Sequence, residues 1–194
     1  MNKTSFEVEV KIPVGNLEQL GDSLEHIGAE RLNSETQIDT YYDHPCRAFQ
    51  QTDEAIRLRS RIPYSRRSSE PVDESRPLYE LTYKGSKFDP SSKTRVELSV
   101  GLDELDIAKS ILTHLGFKPV AEIVKKRVFY SLDDLTLSLD DIERVGEFLE
   151  LERVVTSKNE IEPVRAKMFQ ILIKLGLDPE ASIRESYLEL FLEK

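Results

Sequence analysis

Phe6-Glu7-Val8-Glu9-Val10-Lys11-Ile12 is the stretch that decides the fold. Its apolar residues, Phe6, Val8, Val10 and Ile12, fall on one face of an extended chain, and Glu7, Glu9 and Lys11 fall on the other. Successive side chains of a strand point to opposite faces, so a period of two predicts a strand with one apolar and one ionic face. Pro13 closes the run. Leu17, Leu20, Leu24 and Ile27 then recur at helical spacing, with Gly28 as the stop.

Outward from this segment the alternation returns seven more times. Residues 37–43 read as a second strand, broken by His44-Pro45. Residues 55–62 read as a third, with Arg57, Arg59 and Arg61 on one face. Residues 78–84 set Glu80, Thr82 and Lys84 against Tyr79, Leu81 and Tyr83. Residues 93–100 set Lys93, Arg95, Glu97 and Ser99 against Thr94, Val96, Leu98 and Val100. In residues 123–130, Lys125 and Arg127 share a face and Lys126 points the other way. Residues 135–142 carry Thr136, Ser138 and Asp140 opposite three leucines, and residues 147–155 carry Glu150 and Glu152 on one face. A helix is predicted over about 103–115 with Ile107, Ile111, Leu112 and Leu115 as its apolar stripe. Another spans about 160–175, and a short one follows the capping pair Asp178-Pro179. Residues 63–77 are rich in Pro, Ser, Arg and Glu without periodicity and read as a long exposed loop. The order β-α-β-β-β-β-α-β-β-β-α-α with short links favours antiparallel pairing, an α+β fold.

Nearly every strand therefore devotes one face to ions. One reading is an antiparallel sheet with its polar face in water, where mixed charges form ordinary cross-strand pairs. The other closes the sheet into a barrel with the ionic faces inward and the apolar faces packed outward against the helices. Inward cations are costly unless a polyanion and water compensate them. Arginine and lysine suit phosphate oxygens, and glutamates suit Mg²⁺ or Mn²⁺, hard cations that take carboxylate and phosphate oxygen together. The second reading thus predicts a metal–polyphosphate site. No G-x-G-x-x-G or Walker sequence is present, so a nucleotide would not be held by a glycine-rich loop.

Glu7-Val8-Glu9-Val10-Lys11 resembles the E-x-E-x-K signature of the CYTH superfamily, the triphosphate tunnel metalloenzymes. Thr40-Tyr41-Tyr42-Asp43, Asp53-Glu54-Ala55-Ile56-Arg57-Leu58-Arg59, Leu81-Thr82-Tyr83-Lys84-Gly85, Lys93-Thr94-Arg95-Val96-Glu97, Lys125-Lys126-Arg127, Leu139-Asp140-Asp141 and Gly146-Glu147-Phe148-Leu149-Glu150-Leu151-Glu152 follow in the family's order. The match covers about residues 5–155, and Ser186-Tyr187-Leu188-Glu189-Leu190 also fits. The set is most similar to the class IV adenylate cyclase branch. The resemblance implies one domain over residues 1–194, built as an eight-stranded antiparallel β-barrel around a triphosphate tunnel, with helices outside and a C-terminal helical tail over about 159–194. It implies Glu7, Glu9, Glu150 and Glu152 as ligands of Mg²⁺ or Mn²⁺. Arg57, Arg59, Lys84, Arg95, Lys125 and Arg127 become phosphate clamps, with Lys11 beside the metal carboxylates and Asp140 a metal or general-base residue. Ser99 departs from the pattern, since many relatives carry an acid there, which thins the acidic complement around Glu97. The implied activity is conversion of ATP to cyclic AMP and pyrophosphate. The alternatives are hydrolysis of an inorganic or organic triphosphate such as tripolyphosphate or thiamine triphosphate, and a nucleotide- or polyphosphate-binding module without turnover.

The 194 residues hold 27 Lys+Arg and 36 Asp+Glu, a formal net charge of −9, which disfavours a nucleic-acid partner. The charge is segregated: −7 over residues 1–56, +5 over 57–95, zero over 96–130 and −7 over 131–194. The basic middle holds four of the six clamps, and the acidic ends hold the four metal-ligand candidates. Arg66, Arg67 and Arg76 belong to the loop. The single cysteine, Cys46, the lack of an apolar leader and the absence of an 18-residue apolar run predict a cytoplasmic protein with no membrane contact. A homodimer is compatible with the sequence. His26, His44 and His114 form no triad-like pattern and no serine sits in a nucleophile elbow, so covalent catalysis is not expected.

Overall fold

The computed structural model describes residues 6–64, 78–86 and 95–194. Eight strands form one antiparallel sheet: β1 (Phe6–Val14), β2 (Glu30–Asp43), β3 (Ala55–Pro63), β4 (Leu78–Lys84), β5 (Glu97–Leu102), β6 (Lys118–Leu132), β7 (Leu135–Ile142) and β8 (Gly146–Val155). Their spatial order is β1-β8-β7-β6-β2-β3-β4-β5. The sheet curls, and among the described residues its two edges, β1 and β5, are not paired with each other. Long-range pairing is thus concentrated on β2 against β6, the longest strands, which form the floor of the trough.

The apolar faces point outward, beneath helices. α1 (Leu17–His26) and α4 (Ile161–Lys174) cover β1, β6, β7 and β8, burying Val8, Leu24, Leu137, Leu149, Leu151, Met168 and Leu172 completely. Each such side chain contributes about 1.5–3 kcal/mol on burial. α3 (Leu105–His114) covers the outer face of β2, β3 and β4 through Ala108 and Leu112 against Tyr42 and Leu58. α1 starts where the Asn16 side chain accepts a hydrogen bond from the Gln19 N–H, and α3 gives way at Gly116, φ +89°. A Cβ at Gly116 would also meet the Pro45 ring at 3.2 Å, so a side chain there is strained twice over.

Several boundaries differ from the sequence expectation. β2 begins seven residues before the predicted 37, and β6 extends the predicted 123–130 at both ends because the two strands pair with each other almost throughout. α2 (Phe49–Thr52), a single turn, was not anticipated. Most of the predicted loop, residues 65–77 with Arg66, Arg67 and Arg76, lies outside the described residues, as do Lys93 and Thr94 of the fifth strand. The predicted stripe of α3 is corrected. Leu112 is buried, but Ile107, Ile111 and Leu115 are exposed, and the sheet takes Leu105, Ala108 and Leu112 instead. Asp178-Pro179 opens only a 3₁₀ turn, Pro179–Ala181. The Ile183 N–H then bonds the Lys11 carbonyl at 2.8 Å, which extends the chain along β1 and delays the last helix, α5 (Tyr187–Leu192), until Ser186 caps it. α5 does not join the outer helices. It turns back over the concave side, against β6 and Phe148.

Candidate active site: a buried ionic trough

The concave face encloses a cavity of about 690 Å³. Every residue predicted as a metal ligand or phosphate clamp lines it, as does Lys11. The inward reading of the ionic faces therefore holds. Register explains it: Lys11 faces Glu150, Glu9 faces Glu152, Arg127 faces Asp140 and Lys84 faces Glu97, all on inward positions.

On β2, β3, β6 and β7 the cations meet carboxylates. Arg59 donates to both oxygens of Asp39, at 2.6 and 2.7 Å, with both residues buried. Burial alone would raise the Asp39 carboxyl, but Arg59 and Arg57 hold it well below the usual carboxylate range. Arg127 forks onto Asp140, its Nε donating to Oδ1 at 2.6 Å, and also bonds Glu150. Asp140 is fully buried and accepts a third hydrogen bond from the Tyr187 hydroxyl at 2.7 Å. Lys11 lies 3.6 Å from Glu150 and 3.9 Å above the Tyr187 ring. Tyr187 thus fastens α5 across the trough by one hydrogen bond and by cation–π contacts of its ring with Lys11 and Lys125.

Some donors remain unanswered. Arg57 donates weakly to Glu80 and Thr82 at 3.3 Å, and its buried Nε has no partner. The Gln37 side-chain oxygen is also buried without a partner. Lys125, 4% exposed, has no carboxylate within ion-pair distance among the described residues, and its ammonium lies 5.3 Å from the Tyr187 ring. Burial, then the neighbouring Arg127 and Arg59, push its pKa well down. Lys84 is also depressed, by burial and by Arg57, although it bonds Glu97 at 2.7 Å. Arg95 stands 3.7 Å from the same Glu97.

At the β1–β8 edge the imbalance reverses. Glu9 and Glu152 are directly opposed across the strand pair. Burial, then Glu97 and Glu9, push the Glu7 carboxyl up to about 8. Glu152 is raised by burial and by Glu150 and Glu9, against the pull of Arg127. Among the described residues no three carboxylates, imidazoles or thiols already converge as a metal shell. The donor chemistry still fits a hard divalent cation: these are carboxylate oxygens whose mutual repulsion a cation would relieve. Glu150 is committed to Arg127 and Lys11. Ser99, where an acid was expected, hydrogen-bonds the Thr82 hydroxyl at 2.9 Å.

The sequence reading missed Asp39 and Tyr187 as members of the site. Asp39 lay in the predicted second strand, alternating with Ile38 and Thr40, and only pairing with β3 reveals that it answers Arg59. Of the aromatic residues near the trough, Tyr83 donates to Glu54 at 2.6 Å, whereas Tyr41 and Phe129 line the cavity. His26 and His114 lie exposed on helices, and His44 packs edge-on against Phe117.

The geometry agrees with comparisons to known proteins. A protein of Methanocaldococcus jannaschii that carries a provisional adenylate cyclase name is 36% identical over 185 residues, 95% of this chain and 98% of its own. Adenylate cyclase CyaB of Aeromonas hydrophila is 24% identical over 94% of this chain and 86% of its own. The solved structure of the PH1819 protein of Pyrococcus horikoshii OT3 superposes with a TM-score of 0.84 at 37% identity, covering 96% of this chain and 98% of that one. The CYTH domain profile matches residues 5–187, a span that takes in the sheet, the outer helices and Tyr187 at the trough, and the chain belongs to the CYTH domain family.

Proposed function

We propose that this chain binds the triphosphate of ATP in the trough and converts ATP to cyclic AMP and pyrophosphate. The observation that supports this most is the set of buried cationic groups that are unanswered among the described residues: Lys125 without an ion pair and the Arg57 Nε without a partner. A phosphate chain supplies what they lack, because its oxygens offset the burial and the neighbouring cations that disfavour the Lys125 ammonium, and accept from Arg57. Arg59, Lys84, Arg95 and Arg127 complete the cradle. Their carboxylate partners fix their orientation in advance, which is how fixed dipoles and charges favour a developing charge.

CYTH enzymes are generally dependent on a divalent metal. Glu7, Glu9, Glu150 and Glu152 would hold Mg²⁺ or Mn²⁺, which when bound neutralises phosphate charge. In cyclisation the ribose 3′-oxygen bonds to the α-phosphorus and the bond to the bridging α–β oxygen breaks. The 3′-hydroxyl proton leaves to a base; the candidate, Asp140, is fully buried and off the cavity lining, so it would take the proton through the lining Tyr187 hydroxyl, which accepts from the ribose as it passes its own proton to Asp140. The charge that gathers on pyrophosphate is met by Arg57, Arg59 and Lys125. Lys11, held by Glu150, sits beside the carboxylates as an orienting cation. A cytoplasmic setting suits this chemistry.

A second reading is hydrolysis of a triphosphate by water at the terminal phosphorus, which the same cations and carboxylates would serve. A module that binds without turnover is the third. Incubating the protein and Mn²⁺ with ATP, tripolyphosphate and thiamine triphosphate separates them. Cyclic AMP supports the first reading, orthophosphate without cyclic product replaces it with the second, and tight binding without product leaves the third.

A further inference from the structure

Arg57, Arg59 and Arg61 alternate on the inward face of β3, each about 7 Å from the next along the strand. The middle one spends its Nε and a second nitrogen on Asp39. The two that flank it differ: the Nε of Arg57 and the Nε of Arg61 are both buried without a hydrogen-bond partner. Arg57 already belongs to the cradle, and Arg61 has no role yet. Glu35 and Glu80 approach Arg61 at 3.9 and 3.7 Å, too far for hydrogen bonds. Both carboxylates have nearer donors: Glu35 accepts from the Gln37 amide, and Glu80 accepts from Thr82 at 3.0 Å.

Gln37 is the second unfinished group. On β2 it stands between Arg61 of β3 and Lys125 of β6, its register partners on either side. Two residues further on, Asp39 occupies the next inward position and neutralises Arg59. At Gln37 the sheet instead sets a neutral amide between two cations. Its nitrogen donates to Glu35, and its oxygen is buried without a partner although the residue lines the cavity. Among the described residues the trough thus holds, on paired strands, a buried donor that lacks an acceptor and a buried acceptor that lacks a donor. Leaving either unmet is costly.

The end of a phosphate chain answers both. An inner phosphate offers acceptors only. A terminal phosphate has a third non-bridging oxygen that can carry a proton, released at about pH 6. Its bare oxygens accept from Arg61 and Lys125, and its O–H donates to Gln37. The direction of the chain fits as well. Arg61 lies at the end of β3 remote from α2. Toward α2 and α5 the cavity is lined by Tyr42, Phe49, Val120, Leu188 and Leu192, an apolar rim suited to a nucleoside.

We propose that Gln37 and Arg61 seat the terminal phosphate of a nucleoside triphosphate, with the nucleoside toward α2 and α5 and the phosphate chain running inward along β3. The assignment rests on the trough holding such a triphosphate, and it makes Arg61 and Gln37 the residues that tell three phosphates from two.

Calorimetric titration of ATP and of ADP into the metal-free full chain tests this. Wild-type protein should bind ATP more tightly than ADP. Arg61→Ala should weaken ATP binding roughly tenfold or more, the scale of one lost charge-assisted contact, and leave ADP binding unchanged. Arg61→Lys should recover part of the loss. Arg57→Ala, nearer the nucleoside, should weaken both nucleotides. Arg61 is one-third exposed and its ion pairs are long, so circular dichroism should show the fold intact without it. Gln37→Leu reads the same preference independently, with a smaller loss confined to ATP. Failure of the wild type to bind ATP would remove the triphosphate reading itself. With ATP bound by the wild type, equal losses for ATP and ADP in Arg61→Ala, or no loss for ATP, would overturn the terminal-phosphate seat alone.

Discussion

Two buried arginines, Arg59 of β3 and Arg127 of β6, are answered by neighbouring strands: Asp39 of β2 chelates Arg59, and Asp140 of β7 with Glu150 of β8 binds Arg127. On β1 and β8 the carboxylates Glu7, Glu9 and Glu152 crowd one another, and burial, with Glu97 and Glu9 nearby, pushes Glu7 up to about 8. The same alternation of ionic and apolar residues builds both regions, yet one is self-neutralised and the other is not. The paired wall holds guanidinium groups at fixed angles, which suits a triphosphate. The crowded edge holds carboxylates that a divalent cation would draw together. On β6 and β3 stand Lys125 and the Arg57 Nε, cationic groups without a hydrogen-bond or ion-pair partner among the described residues.

The comparison breaks most visibly at the paired wall. Asp39→Ala should cost about 3–5 kcal/mol of stability, because it leaves Arg59 buried without its counter-charge. Chemical denaturation measures this, and tripolyphosphate should restore part of the loss in the variant by taking the carboxylate's place. The carboxyl of Asp39 is depressed in the fold, so its contribution is complete above the unfolded carboxyl pKa and is lost as pH falls below it. Wild-type stability should therefore decline more steeply than that of Asp39→Ala on acidification through that range.

Arg57→Ala should weaken triphosphate binding by about 1.5–3 kcal/mol, the scale of a charge-assisted hydrogen bond, with little change in the melting temperature. Its ion pair with Glu80 is long, at 3.3 Å, so the fold has less invested in it than in Arg59. Glu150→Gln should abolish metal-dependent turnover while the protein remains folded, measured by product formation beside circular dichroism. Unfolding of that variant would move Glu150 from the site to the scaffold.

The smallest effects are expected at the acidic edge and at the strap. Glu7 has a raised carboxyl, so the folded state keeps a proton that the unfolded state has released, and stability declines as pH rises from the unfolded value toward about 8. Glu7→Gln should flatten that decline in metal-free protein and raise the melting temperature above pH 8. Tyr187→Phe removes one hydrogen bond to Asp140 and should cost about 1 kcal/mol, with the ring still over Lys11.

Much of this was legible along the chain. Alternation located all eight strands, and the recurrence of Arg and Glu at alternate positions marked an ionic face, left open between water and the interior. Both sequence readings of that face proved partly right: the ions face inward, and many still form cross-strand pairs. What stayed hidden depends on neighbours distant in sequence. Asp39 looks like any polar strand residue until β3 lies beside it. Helical periodicity shows that α3 is apolar on one side, but Ile107 and Ala108 differ by one position, and only the sheet decides which row is covered. The turn of α5 over the trough follows from one bond, Ile183 to Lys11, that no local pattern announces.

The central claim is that the unanswered cations of the trough are a triphosphate cradle. Calorimetric titration of tripolyphosphate into metal-free wild-type protein and into Lys125→Ala tests it most directly. Binding to the wild type is expected, with clearly weaker binding to the variant. Equal affinity in the two proteins, or no binding to either, would contradict it.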